Sequence, residues 1–286
     1  REGYVVWYHD VGDQVLAFDQ FADYDVVLNT LAGTSSTLAV VTAAGEHVAR
    51  YDDACDGFGD DRSAVSAWSQ VNHEARVHTG GAGEKKVLTN YQTASSVRSE
   101  LDDGASAPEY LGATLENYLN DHVATWNVKS GKFETLVDVE LNWNPVDYFV
   151  EYANSMTYEE LVCPEFDDTA WALDWSHLSA VSEDDENYVV SLRNLNVVAA
   201  FSKRATDANV SSDVHKVAPA WTLSCTPEIS STFAWTDYET DCFYDVHSAE
   251  ITSKGTLLLF DDGNNRNHCS ADDGTTNATG CFSRAI

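Results

Sequence analysis

The apolar residues of this chain come in short runs cut by Gly, Asn, Asp and Ser, and that rhythm limits the fold more than any other feature. Short β-branched or aromatic runs bounded by turn formers are strands, because alternate side chains can face a core while the ends reverse. Residues 14–18, 25–28, 37–41 and 47–51 have the spacing of one antiparallel sheet. After an acidic loop at 52–62, residues 71–77 and 86–90 open a second unit. Residues 122–128 and 133–139 complete it around a Ser130-Gly131 turn. Residues 174–181, 188–192, 197–202 and 220–223 make a third, with 204–214 as a loop. The hairpin that turns at Ser253-Lys254-Gly255, together with residues 281–286, makes a fourth. That unit lacks its outermost strand, which the unpaired run 4–7 would supply. Many short antiparallel sheets with few helices predict an all-β chain, a β-propeller of four-stranded blades rather than a sandwich, with four clear units. Residues 1–286 are expected to form this single domain. An irregular insertion is expected around 142–170, between Pro145 and Pro164, with a helical turn at 157–161. At 110–119 a helix-like spacing competes with a strand.

Charge narrows the partners. Sixteen Lys and Arg stand against 47 Asp and Glu, a net charge of −31, which repels nucleic acid and anionic membrane surfaces. No apolar run approaches the roughly 20 residues of a membrane-spanning helix. An acidic surface suited to salty surroundings is expected, and an anionic substrate would need a locally positive site. Six cysteines without a Cys-x-x-Cys pair indicate disulfides rather than zinc, with Cys225/Cys242 and Cys269/Cys281 each flanking a loop. The sequons Asn209-Val-Ser and Asn277-Ala-Thr point the same way, to a secreted or extracytoplasmic protein. The chain begins at Arg1 without an apolar leader, which leaves open a leader already removed and a chain that is part of a longer one.

Residues 244–266, YDVHSAEITSKGTLLLFDDGNNR, place His247 at the start of a hairpin that ends in an Asp/Gly/Asn turn. This stretch resembles the arylsulfotransferase family, whose members carry a Gln-His-Asp-Ala start, a Leu-Leu-Leu-Phe strand and an Asp-Asn-Gly-Asn turn. Residues 174–202, beginning DWSH, are similar to the family's Asp-Trp-Thr-His block and the Ser-Ser-Arg strand after it. Residues 70–77, QVNHEARV, more weakly resemble its His-His-Asp-Val segment. The resemblance implies a six-bladed propeller whose inner strands converge on a sulfuryl-transfer site. By it, His247 is the nucleophile, His177 and Arg193 hold the sulfuryl oxygens, and His73 binds and assists proton transfer. A phenolic sulfate ester is the donor and a phenol the acceptor; no metal or cofactor is implied. Neutral imidazole suits this role, since it is nucleophilic near neutral pH and splits one transfer into two displacements.

The sequence departs from the family beside these residues: Val246 stands for Gln, Ser248 for the acid after the nucleophile, and Ser179 for a polar partner of His177. Asp245 or Asp261 is available as a substitute orienting carboxylate. The competing expectation is a propeller without catalysis that binds or assembles outside the cell, as a homo-oligomer or in a larger structure. A glycosidase lacks any motif that singles out a carboxylate pair. His9, His78, His122, His215 and His268 match no family block and read as surface residues.

Overall fold

The computed structural model describes residues 14–32, 35–52, 69–78, 84–96, 109–110, 113–114, 117–143, 157–162, 169–210, 217–263 and 283–286. The first blade is β1 (Gln14–Gln20), β2 (Val26–Ala32), β3 (Ser35–Val41) and β4 (His47–Asp52), paired in that order. In the second, β5 (Ser69–Val77) and β6 (Lys86–Ser96) form a hairpin. The small ladder β7 (Glu109–Tyr110) with β8 (Ala113–Thr114) leads to β9 (Asn117–Asn127), which pairs with β6 on one edge and β10 (Lys132–Asp138) on the other. β11 (Thr157–Val162) and β12 (Thr169–Asp174) then join this sheet, Leu173 and Asp174 lying parallel to the start of β9. The third blade is β13 (Leu178–Glu183), β14 (Asn187–Leu192), β15 (Val197–Ser202), a helix α1 (Lys203–Val210) and β16 (Trp221–Ser224). The one-turn helix α2 (Tyr238–Asp241) precedes the fourth blade, β17 (Val246–Ile251), β18 (Leu257–Asp261) and β19 (Arg284–Ala285). Four small antiparallel sheets thus make an all-β, four-bladed propeller, matching the units legible in the sequence rather than the six that the resemblance implies.

Strand alternation explains how the blades stack. In the run Val197 to Phe201, Val197, Ala199 and Phe201 enter the core shared with the second blade. Val198 and Ala200 enter the core shared with the fourth. A strand buried on both faces has no polar face, hence its unbroken apolar sequence. β6 and β9 behave alike: Leu88 and Val123 face the third blade, Val87 and Trp126 the first. The outward face of β18 is different, and Leu258 and Phe260 there are exposed.

Side chains also tie blades one, two and three to the innermost strand of the next. The Ser36 hydroxyl donates to the Val71 carbonyl, and Asn90 Nδ2 to the Leu178 carbonyl at 2.8 Å. Ser179 and Ser182 hydroxyls donate to the carbonyls of Val246 and Ala249, both at 2.7 Å. The Cys225–Cys242 disulfide links the end of β16 to the approach of β17, as expected from the loop they flank. The runs at 4–7 and 281–282, Cys269, Cys281 and Asn277 lie outside the described residues.

Some local expectations are corrected. Residues 157–162, expected as a helical turn, are β11, because Tyr158 to Leu161 find pairing partners along β12. Residues 174–181 are not one strand: the Asp174 carboxylate accepts the His177 backbone N–H at 3.2 Å, turning the chain between β12 and β13. Part of the expected 204–214 loop is α1, so Asn209 sits in a helix. His78 and His122 are not surface residues. His78 is inserted between blades with Nδ1 3.1 Å from Glu183, and His122 Nε2 lies 2.9 Å from the Thr93 hydroxyl.

Ser182→Ala should lower unfolding stability by about 1–3 kcal/mol, the cost of leaving a buried carbonyl short of a donor. A urea denaturation series on the variant and the parent measures it; an unchanged midpoint would mean that the bond contributes nothing between blades three and four.

Candidate functional site

In every blade the first strand slips by a bulge against the second: between Val15 and Ala17, Asn72 and Ala75, Leu178 and Ala180, and His247 and Glu250. A bulge re-aims the side chains beside it. In three blades a histidine lies at the bulge or immediately before it, and a residue there adopts the left-handed region: His73 at φ 45°, His177 at φ 45° and Ser248 at φ 50°. Such backbone is uncommon for residues other than glycine, and it persists where packing enforces it.

The bulges bring the expected residues together. His73 Nε2 and His177 Nε2 are 3.0 Å apart, and the His73 and His247 ring centroids are 6.2 Å apart, nearly perpendicular. Arg193, directly after β14, is held beside His177 because its N–H donates to the His177 carbonyl at 2.9 Å. Asn194 reinforces that turn, donating from Nδ2 to the Asp174 carbonyl at 2.6 Å. The Arg193 charge depresses the proton affinity of all three imidazoles. Residues from blades two, three and four therefore meet in one partly exposed cluster.

Arg193, His177 and His247 each have an acid nearby, and the sequence did not single out the correct ones. His177 Nδ1 is hydrogen-bonded to the buried Asp174 carboxylate. Arg193 Nη2 lies 3.5 Å from Asp245, and His247 Nε2 lies 3.4 Å from Asp262. Asp245 thus serves the arginine rather than His247. Asp261 instead accepts the Tyr244 and Gly263 N–H groups and pairs with Arg284. The one available signal for Asp174 was its i, i+3 spacing to His177; for Asp262, its place in the turn after β18. The residues that depart from the family pattern are structural: Val246 is buried in the core, Ser179 carries an inter-blade bond and Ser248 is exposed at the bulge.

These contacts separate the three imidazoles electrostatically. Burial, then the charges of His177 and His247, lower the His73 pKa to about 3, so it is neutral. Burial also opposes charge on His177, but the Asp174 charge and hydrogen bond outweigh it and raise that pKa. Burial lowers His247, and Asp262 only partly offsets it, leaving a neutral imidazole near neutral pH. His177 is accordingly the imidazole of the three that most readily keeps a proton, and its Nε2 faces the Nε2 of a neutral His73 that can receive one. Arg193 engages one N–H with Asn194 Oδ1 at 3.2 Å and one with Asp245, leaving the rest of its five donors without a partner among the described residues. A guanidinium with donors to spare among the described residues, beside two imidazoles that disfavour a proton and one that favours it, is suited to holding a small oxyanion while an imidazole attacks it. A surface pocket of about 280 Å³ beside Trp143, Pro219 and Ile229 contains none of these four residues.

Comparison of the chain with models of known families, with curated proteins and with solved structures gives no match. Its class is therefore given by fold and site: a four-bladed propeller carrying a cluster of three histidines and one arginine.

Between pH 6.5 and about 3 the unfolded chain binds a proton at position 73 that the folded chain refuses, so this residue makes stability fall as pH falls through that window. His73→Gln should remove that slope. Denaturation midpoints at pH 8 and pH 4.5 should show the variant gaining relative to the parent at the lower pH; an equal difference at both would mean that His73 is not held neutral.

Proposed function

We propose that the protein is an arylsulfotransferase-like enzyme that moves a sulfuryl group from a phenolic sulfate ester to a phenol through a sulfohistidine at His247. The supporting observation is the under-used Arg193 fork within electrostatic reach of a neutral His247 and of the His73/His177 pair. The motif resemblance around all four residues supports the same reading. A His247 ring nitrogen attacks sulfur, the aryl S–O bond breaks, and Arg193 with cationic His177 takes the charge on the sulfuryl oxygens. His73 accepts the His177 proton at Nε2 and releases its own from Nδ1 toward the departing phenolate. The acceptor phenol then displaces the imidazole and returns a proton along the same pair. The Cys225–Cys242 disulfide is compatible with action outside the cytoplasm. No described helix is long and apolar enough to cross a membrane.

One observation favours the second reading, a binding or assembly module without catalysis. Asp174, Asp245 and Asp262 offset the charges of the cluster, so the four residues also work as a polar knot between blades.

Incubation with an aryl sulfate and a phenol, with intact-protein mass read under conditions that preserve labile N–S bonds, separates the two. The enzyme reading expects one sulfuryl group on the parent and none on His247→Ala, with transfer abolished. Arg193→Lys should lower the transfer rate on the order of 10²-fold or more, since a point charge replaces a planar donor array. Full transfer by His247→Ala would remove the enzyme reading, and an unmodified, inactive but folded parent would favour the module.

A further inference from the structure

A carboxylate from blade two lies against the turn that carries His177. Asp121, in the middle of β9, is fully buried. Its Oδ2 accepts the Ser176 hydroxyl at 2.5 Å and the Leu178 backbone N–H at 2.9 Å, the residues on either side of His177. Its Oδ1 has no hydrogen-bond partner among the described residues. We propose that Asp121 is a positioning residue for His177: by gripping both neighbours of that histidine it holds the imidazole against His73 and governs how firmly His177 keeps its proton.

Three observations support this. His177 has a left-handed backbone, and two bonds to one oxygen across the turn hold that conformation in place. The bonds run from blade two to blade three, so they fix the docking that creates the His73/His177 contact. The charges around Asp121 also give it a lever on His177. Asp174 on β12 and His177 itself are the charged groups that act on it, while β6 places uncharged Gln92 opposite. His122, next on β9, has Asp138 of β10 at 3.6 Å. Burial, then the Asp174 charge, raise the Asp121 pKa to about 6, against the weaker pull of its two donors. Below that pH, Asp121 holds a proton and contributes no charge; above it, a second carboxylate lies under His177 and stabilises the cation. The imidazole that supplies the proton in the proposed transfer would thus hold it more firmly as the medium leaves the acid range. That consequence rests on the proposed role of His177; the positioning itself does not.

The test needs no substrate, so its outcome is independent of whether the protein transfers sulfuryl groups. With histidine labelled in both ring nitrogens, NMR titration follows His177, assigned by loss of its signals in His177→Gln. Asp121→Asn, isosteric and able to keep one accepting oxygen, should move the His177 midpoint to lower pH. Ser176→Ala removes one bond but keeps the charge, and should move it less. In the parent, the His177 shifts should show a second inflection near pH 6 as Asp121 ionises. An Asp121→Asn midpoint equal to the parent's, or a shift equalled by Ser176→Ala, would overturn the proposal. Should Asp121→Asn fail to fold, the parent curve decides: a single-step His177 titration without the inflection overturns it, and a two-step curve supports it.

Discussion

The constraint on which this structure depends is that the carbonyls of the innermost strands, at or beside their bulges, must find donors in the preceding blade. A buried carbonyl without a donor costs about as much as several good apolar contacts gain. Ser36, Asn90, Ser179 and Ser182 meet that need for Val71, Leu178, Val246 and Ala249. The apolar cores between blades are forgiving about rotation, because burial has no direction. These bonds do have direction, and they set how one bulge lies over the next. The histidines sit at those bulges, so the same contacts that order the blades also order the site.

This organisation explains why the acids matter as much as the bases. A cluster of three imidazoles and a guanidinium would repel itself if every group were charged. The chain resolves this unequally: Asp174 bonds one imidazole directly, burial discharges His73, and Asp262 stands at 3.4 Å from His247, too far for a firm hydrogen bond. One histidine that favours its proton, one neutral receiver and one partly exposed ring that disfavours a proton are the result. Placing groups of one chemical type in different environments is how a site divides acid, base and nucleophile among like residues.

Much of the scaffold was legible because strand period and turn chemistry are local. The four strands of blade one and the hairpin of blade four are visible in alternation, Gly and Asn alone; Gly131 and Gly255 both take the positive φ that their turns require. His73, His177, Arg193 and His247 were named from motifs, and they meet. What was not legible depends on tertiary partners. The break at 174–177 needs the Asp174 carboxylate to displace a backbone partner, and β11 needs β12. Asp121 reads as one acid among many in a very acidic chain. Only its burial mid-strand, with Leu119 and Val123 two residues to either side, marks it as different, and its bonds to Ser176 and Leu178 lie 55 and 57 residues away.

The span of the His73/His177 contact has a consequence for the newly made chain. The two nitrogens are separated by 104 residues and face each other only after blades two and three have docked. Contacts of such long loop closure form late in folding, since the chain entropy must be lost before the contact returns any of it. The third histidine waits on yet another blade. A partly assembled chain therefore carries ordinary, solvated imidazoles, and the unequal proton affinities of the cluster arise only with the last steps of assembly.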